Sequence, residues 1–347
     1  MGNTPVDTPT VLSDRTINRM PFCTLDKVLI VIPTLNEQAH IHACITALLD
    51  QSGAGLIVVA DGGSTDNTAV IVREIAHQFP QVKLLHNPDQ IQSAAINLAV
   101  QKYANDSVKI LIRCDAHATY PDDFIAQILN DFSDPKIASV VVPMDAQGQG
   151  GFAMAAAWIV DSILGNGGSK HRGGNFTGFV DHGHHAGMRM DWFQCIGGYD
   201  ISFDHNEDAE YDLRLKSAGG QIWMNGAIQI GYVMRPNLAG LTRQYFNYGR
   251  GRARTLVKHA KTPRLRQSIP TFNLVLIIVS TILSMVWTVF AILPLGYLSA
   301  LLLVSLYGVL RLRDFAGLWA GPAVGAMHNA WAIGFLRQCI WGDKHGR

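Results

Sequence analysis

The sequence predicts an α/β fold: a mostly parallel sheet with helices on both faces, followed by C-terminal transmembrane helices. Three observations carry this. Short apolar runs alternate with amphipathic stretches from Lys27 to Asp131, the signature of strand–helix–strand units. Acidic residues stand just past the ends of several of those runs, where open α/β sheets bind ligands. Finally, Thr271–Pro294 is almost wholly apolar and long enough to cross a bilayer.

The elements follow in order. Lys27–Pro33, KVLIVIP, reads as a buried strand stopped by proline, and Gln38–Asp50 has helical spacing through Ile41, Ile45, Leu48 and Leu49. Leu56–Ala60 is a second buried strand, ending at Asp61-Gly62-Gly63-Ser64-Thr65-Asp66; Thr68–Phe79 is an amphipathic helix. Val82–Leu85, Lys109–Cys114 and Ala138–Pro143 are further strands, with helices expected over Gln92–Tyr103 and Asp122–Asp131. Two glycine-rich tracts, Gly148–Phe152 and Gly165–Gly178, lack the spacing of a P-loop and are expected to form a mobile loop near a ligand. Glu207–Lys216, EDAEYDLRLK, opens as a helix with acids in its first turn.

Composition narrows the function. The 28 Lys and Arg balance 27 Asp and Glu, so charge gives no argument for nucleic acid. Five scattered cysteines fit a reduced compartment better than a disulfide framework. Met1–Asp26 is polar, without the apolar core of a signal peptide, and is expected to be a loosely ordered arm. Arg243–Arg266 holds eight Lys or Arg and no acid directly before the first apolar run, which by the positive-inside rule reads as cytoplasmic. Leu295–Leu310 is a second run, and Phe315–Leu336 a weaker third with Gly321-Pro322, His328 and Asn329 inside it. The expected topology is a hairpin of two spans with its outer turn at Pro294-Leu295-Gly296, the third run lying re-entrant or at the cytoplasmic interface.

Chemistry concentrates at one sheet edge: Pro33, Thr34 and Glu37 after the first strand, Asp61 after the second, Asp115 and His117 after the fourth. Carboxylates gathered there repel unless something positive sits among them. A carboxylate with an imidazole suits Mn²⁺ or a similar divalent ion, pure oxygen ligation Mg²⁺. Asp208, at a helix start, is a candidate general base beside Glu207. His182, His184 and His185 read as hydrogen-bonded structure or acceptor contact, with a place in a metal shell as the alternative.

Together VLIVIPTLNE, VVADGGSTDNT, the strand-end DAH, GGYD and NEDAEYDLR resemble family 2 glycosyltransferases of the GT-A fold, in the right order over Lys27–Arg254. RCDAHATYP, VDHGHHA and QYFNYGRGR are most similar to the ExoA-like enzymes of succinoglycan-type exopolysaccharide synthesis. The resemblance implies four segments: an arm over 1–26, the transferase domain over 27–254, a basic linker over 255–270 and a membrane domain over 271–340. It implies a UDP-sugar, with glucose as the family-level donor, and a saccharide acceptor that is isoprenoid-diphosphate-linked, at the inner membrane with the catalytic domain cytoplasmic. Pro33, Thr34, Glu37, Asp61, Ser93, Asn97 and Asp115 would hold the nucleotide sugar, and Asp115 with His117 a Mn²⁺ or Mg²⁺ ion. Asp208 with Glu207 would carry catalysis, inverting the anomeric carbon. His184, His185, Gln244, Tyr248, Arg250 and Arg252 would face the acceptor or its diphosphate; Gln244, Asn247 and Tyr248 stand where processive synthases carry QxxRW, here degraded. A membrane-tethered sugar-nucleotide binder and a soluble nucleotidyltransferase are the alternatives.

Overall fold

The computed structural model describes residues 27–170, 172 and 174–342; the polar arm and the last five residues lie outside them. The elements are β1 (Val28–Thr34), α1 (Ile41–Leu49), β2 (Leu56–Asp61), α2 (Thr68–Gln78), β3 (Val82–His86), α3 (Gln92–Tyr103), β4 (Ile110–Arg113), β5 (Ala118–Thr119), α4 (Phe124–Asp131), β6 (Ile137–Val142) and β7 (Met144–Gln147). They continue with α5 (Gly151–Asp161), α6 (Ile163–Asn166), β8 (Gly178–Val180), β9 (His184–Arg189), α7 (Met190–Cys195), α8 (Glu207–Ser217), β10 (Gln221–Met224), β11 (Ile230–Val233) and α9 (Leu238–Lys258). The C-terminal helices are α10 (Leu265–Ser284), α11 (Ile292–Leu312) and α12 (Ala320–Trp341).

An eight-stranded sheet runs β3-β2-β1-β4-β9-β6-β10-β8. β1 to β4, β6 and β10 are parallel; β9 is antiparallel to both β4 and β6, and β8 to β10. Every residue of β1 is buried, because helices cover both faces and successive side chains alternate between two cores. Val28, Ile30 and Ile32 join one core with α1 and α4; Leu29 and Val31 join the other with α3 and α7. A second sheet, β5-β11-β7, lies beside the first.

The glycine tracts differ from the loop expected. Gly148–Phe152 leads directly into α5, and a Cβ at Gly148 would lie 2.1 Å from the Ala153 carbonyl, so that tract is a tight helix entry. Arg172, within the second tract, bridges to Met144 and stacks over Tyr232.

At the C-terminus α9 runs past Arg254 to Lys258, and α10 starts at Leu265 within the basic segment. α10 and α11 are long and apolar enough to cross a membrane, and their large side chains face outward. The break between them falls at Met285–Trp287, not at Pro294-Leu295-Gly296. Pro294 is the third residue of α11, a first-turn position where its missing N–H has no intrahelical partner to lose. α12 instead docks on α9 backbone to backbone. A Cβ at Gly249 would meet the Trp331 carbonyl at 2.0 Å, and one at Gly334 the Phe246 carbonyl at 2.1 Å. Small residues thus place the third apolar run against the globular domain, with Ala323, Met327, Ala330 and Ala332 buried.

Candidate active site

The turns after β1 and β2 are tied into one wall. Asn36 takes a left-handed φ of 58°, which asparagine tolerates better than most residues. Its Oδ1 accepts from Thr65 N at 2.8 Å, and its own N–H donates to Ser64 Oγ at 2.8 Å. Gln38 N donates to Asp66, and Glu37 N to Thr68 Oγ1. Much of the PTLNE and GGSTDNT signatures therefore holds the two loops together. Pro33, Thr34, Glu37, Asp115 and His117 line a cleft there, with Gln92 from α3.

Asp61 sits at the end of β2 beside Thr34, but its carboxylate turns into its own loop. It accepts from Gly63 N at 3.2 Å, Ser64 N at 3.1 Å and the Ser64 hydroxyl at 2.5 Å. Ser93 and Asn97 do not line the cleft. Ser93 is buried and donates to the Phe203 carbonyl at 3.1 Å. Asn97 exchanges two bonds with the Tyr199 backbone, 2.7 and 2.9 Å. Both clamp the GGYD loop against α3, and a Cβ at Gly198 would strike Asn97 Oδ1 at 2.6 Å. α3 reaches the cleft only through its first residue, Gln92, while Ser93 and Asn97 turn to the loop before α8.

The positive charge that the clustered acids need is a side chain. Arg113, the last residue of β4, is 4% exposed and lies among three carboxylates: it is hydrogen-bonded to Asp208, 3.3 Å from Glu207 and 3.8 Å from Asp115. Its NH2 also donates to Gln92 Oε1 at 2.7 Å. Sequence reasoning missed Arg113; the signal was an arginine in an otherwise apolar buried strand, two residues before Asp115. Burial opposes ionisation of Asp208, but Arg113, then His185, hold its carboxyl well below the usual carboxylate range. Burial and then Asp208 push Glu207 up to about 7.

That contrast has a consequence for stability. A carboxyl with a raised folded-state pKa stabilises fully below its unfolded value, and the benefit is lost as pH rises through the folded value. For Glu207 the loss falls between pH 4.5 and about 7. Glu207→Gln is therefore expected to melt roughly level with the wild type at about pH 5 and a few degrees higher at about pH 8, read by thermal unfolding in detergent. Equal melting at both pH values would contradict a proton on Glu207.

The histidines divide. His117 Nδ1 is 2.8 Å from Glu37 Oε1, and that bond, against burial, raises its pKa. His184 Nε2 lies 3.6 Å from Asp115 Oδ2, and burial pushes its pKa down to about 4, so it stands neutral beside the acid. His185 and His182 both bond Asp212, so here they stand as hydrogen-bonded partners of a buried carboxylate. On α9, Gln244 donates to the Tyr232 and Tyr248 hydroxyls at 2.6 and 2.9 Å. Arg250 and Arg252 flank Gly251, where α9 touches the His205 carbonyl before α8. Asn206 precedes α8 with a φ of 62°, and its side-chain amide donates not to α8 but to the Tyr248 carbonyl at 2.9 Å, so α9 and the start of α8 are one unit.

Among the described residues no three His, Cys, Asp or Glu converge as a complete metal cage. A divalent ion held by one or two side chains and completed by a diphosphate fits nonetheless. Asp115 Oδ1 is buried without a hydrogen-bond partner, an orphan acceptor in the same cleft as the His117 imidazole.

A strand-end acid, a helix-start acid and a cleft gather at one edge of a mostly parallel sheet, and the comparisons with known proteins identify that arrangement as a glycosyltransferase of the GT-A fold. The family described as "Glycosyl transferase family 2" matches residues 29–197. The chain is 44% identical over 321 residues to the succinoglycan biosynthesis protein ExoA of Rhizobium meliloti (strain 1021), covering 90% of this chain and 94% of that one. It is also 26% identical to a dolichyl N-acetyl-α-D-glucosaminyl phosphate 3-β-D-2,3-diacetamido-2,3-dideoxy-β-D-glucuronosyltransferase of Methanococcus voltae, over 63% of this chain and 71% of that one. Among solved structures, the mannosyltransferase PcManGT of Pyrobaculum calidifontis, in complex with GDP-Man and Mn²⁺, aligns with a TM-score of 0.58 at 16% identity, covering 92% of this chain and 88% of that one. The chain belongs to glycosyl transferase family 2.

Proposed function

We propose that the protein is an inverting hexosyltransferase. It moves a sugar, glucose in the simplest case, from a UDP-sugar to an isoprenoid-diphosphate-linked saccharide in exopolysaccharide synthesis. The observation that carries this is Asp208, an ionised carboxylate at a helix start, facing the sheet edge that holds Asp115 and Arg113. The 44% identity to a succinoglycan biosynthesis protein supports the pathway. Pro33, Thr34 and Glu37 border the uridine in this reading, Asp61 shapes the loop beside them, and Asp115 with His117 would hold a Mn²⁺ or Mg²⁺ ion. When bound, that ion supplies Lewis-acid offset of charge on the leaving diphosphate. Asp208 takes the acceptor hydroxyl proton while that oxygen attacks the anomeric carbon from the face opposite the diphosphate, which inverts its configuration. Arg113 holds Asp208 in place through its planar guanidinium. Arg250 and Arg252, with Gln244, Tyr248 and His184, border the acceptor and its diphosphate. The intact Glu207-Asp208 pair disfavours a pure binder, which has no use for a base.

The test is to incubate membranes with a panel of UDP-sugars and isoprenoid-diphosphate saccharides, with and without chelator. Transfer from a UDP-sugar that stops in chelator and returns with Mn²⁺ is the expected result; full transfer in chelator removes the metal, and no transfer from any UDP-sugar removes the reading. Asp115→Ala should abolish turnover and weaken UDP-sugar binding.

The catalytic domain faces the cytosol in this reading, on the same side as the basic stretch before α10. α10 and α11 then form the membrane hairpin, α11 returns the chain to the cytosolic side, and α12 stays on that side, docked on α9. A reporter fused after Arg347 that works only outside the cytosol should stay silent. A strong signal would require α12 to cross as a third span.

A further inference from the structure

Behind Asp208 a line of buried polar groups leads away from the cleft. His185 is wholly buried on β9; its Nδ1 lies 3.5 Å from Asp208 Oδ1 and 2.5 Å from the Tyr199 hydroxyl. Its Nε2 lies 2.8 Å from Asp212 Oδ1. Asp212 stands one turn after Asp208 on α8, on the same side of the helix. It is 1% exposed, and its Oδ2 lies 2.7 Å from His182 Nδ1. His182 is 25% exposed, so the line that starts at Asp208 ends at the surface.

Nothing in the transfer chemistry above uses Asp212 or His182, and packing alone does not call for them. A carboxylate buried between two imidazoles carries a desolvation cost that apolar side chains of similar volume avoid. Asp212 is hydrogen-bonded to both imidazoles, and His185 Nδ1, which the Tyr199 hydroxyl also bonds, stands 3.5 Å from Asp208 Oδ1; a line of titratable groups this close provides what Asp208 lacks once donor and acceptor cover it: a way to lose a proton.

We propose that His185, Asp212 and His182 form the exit route for the proton that Asp208 takes from the acceptor, an inference that rests on Asp208 acting as the base. In each turnover the acceptor O–H bond breaks toward Asp208 and the acceptor oxygen bonds the anomeric carbon. The bond from that carbon to the diphosphate breaks, its electron pair leaving with the nucleoside diphosphate. One proton passes from Asp208 to His185 Nδ1 as His185 Nε2 gives one to Asp212, and Asp212 gives one to His182 Nδ1 as His182 Nε2 gives one to water; each imidazole then turns its ring to regain its starting tautomer before the next turnover. No oxidant or further reactant is needed.

The charges around the line favour that direction. Arg113 on β4 keeps Asp208 a poor holder of a proton. Asp212 and Asp208, against burial, make His185 a better one than an ordinary histidine. Asp212, although buried, is kept ionised by His185 and His182, so it passes a proton on rather than storing it. The other groups facing the line are Glu207 on the same helix, His184 on β9, Arg252 on α9, and the Tyr199 and Tyr211 hydroxyls. The tyrosines have pKa values raised by burial and stay neutral, and the two arginines favour ionised Asp208 and Asp212 between turnovers.

The test uses the full chain in detergent and measures sugar transfer at low and high concentrations of added imidazole. His182→Gln is expected to lower kcat about tenfold at low buffer, leave the donor KM unchanged, and recover most of its kcat when imidazole is added. Asp212→Asn is expected to lose at least as much and not recover, because imidazole cannot reach a buried position. A merely structural role for His182 would not respond to imidazole. Wild-type kcat for His182→Gln at every buffer concentration, or a loss that imidazole leaves untouched, would overturn the route. Wild-type kcat for Asp208→Asn, measured alongside, would remove the base assignment and the route with it.

Discussion

Asp208→Asn is expected to lower kcat by about two to four orders of magnitude while the UDP-sugar still binds with close to wild-type affinity. The reason lies in where Asp208 acts. Its carboxylate is bonded to Arg113 and sits at the first turn of α8, and in the proposed mechanism it touches the acceptor hydroxyl, not the nucleotide. A base interaction strengthens as the proton moves, so its removal shows in the transition state rather than in donor binding. Asparagine keeps the shape and can still accept from Arg113, so the fold should survive. Glu207, relieved of its charged neighbour, should titrate lower than about 7. Donor affinity from calorimetry and kcat from product release check both halves. Near-wild-type kcat would move the base elsewhere; lost donor binding would make Asp208 a nucleotide contact instead.

The sequence exposed the parts of this site that local patterning controls. VLIVIP could only be a strand buried on both faces, and Asp115 after KILIRC had to fall at the edge where strands end. Gln92–Tyr103 agrees with the helix residue for residue. What stayed hidden depended on neighbours distant in the chain. β9, the VDHGHHAGMR region, lacks the β-branched alternation of a strand; it becomes one because β4 and β6 offer it both edges. That placement buries His185 and turns His184 toward Asp115. Asp212 gains its buried partners from far along the chain, His185 on β9 and His182 just before it. Ser93 and Asn97 carry groups suited to a nucleotide, but their partners are the loop at Tyr199 and Phe203, more than a hundred residues on. The hairpin break was misplaced because proline at Pro294 was read as a stop, whereas in a first turn it starts a helix.

Arg113 is the residue whose loss should cost the fold most. It is expected that Arg113→Met destabilises the protein by roughly 3–5 kcal/mol near pH 8, the range for removing one partner from a buried charge group. Methionine fills much of the volume, so the effect isolates the charge. Without the guanidinium, Asp208, Glu207 and Asp115 face one another with no cation among them at the end of β4. The sign of the pH dependence follows. In the wild type Arg113 depresses the Asp208 pKa, which stabilises the fold above the unfolded carboxylate value and gives that up as pH falls. The gap between wild type and Arg113→Met should therefore be widest at neutral and alkaline pH and narrow toward pH 5, as the variant's carboxylates take up protons. Arg113→Lys should fall between the two, since it restores charge but not a planar fork able to reach Asp208 and Gln92 together. Denaturant unfolding at two pH values measures the gap. A variant as stable as the wild type at pH 8 would mean that another cation balances these carboxylates, and Arg113 would lose its place as the organiser of the site.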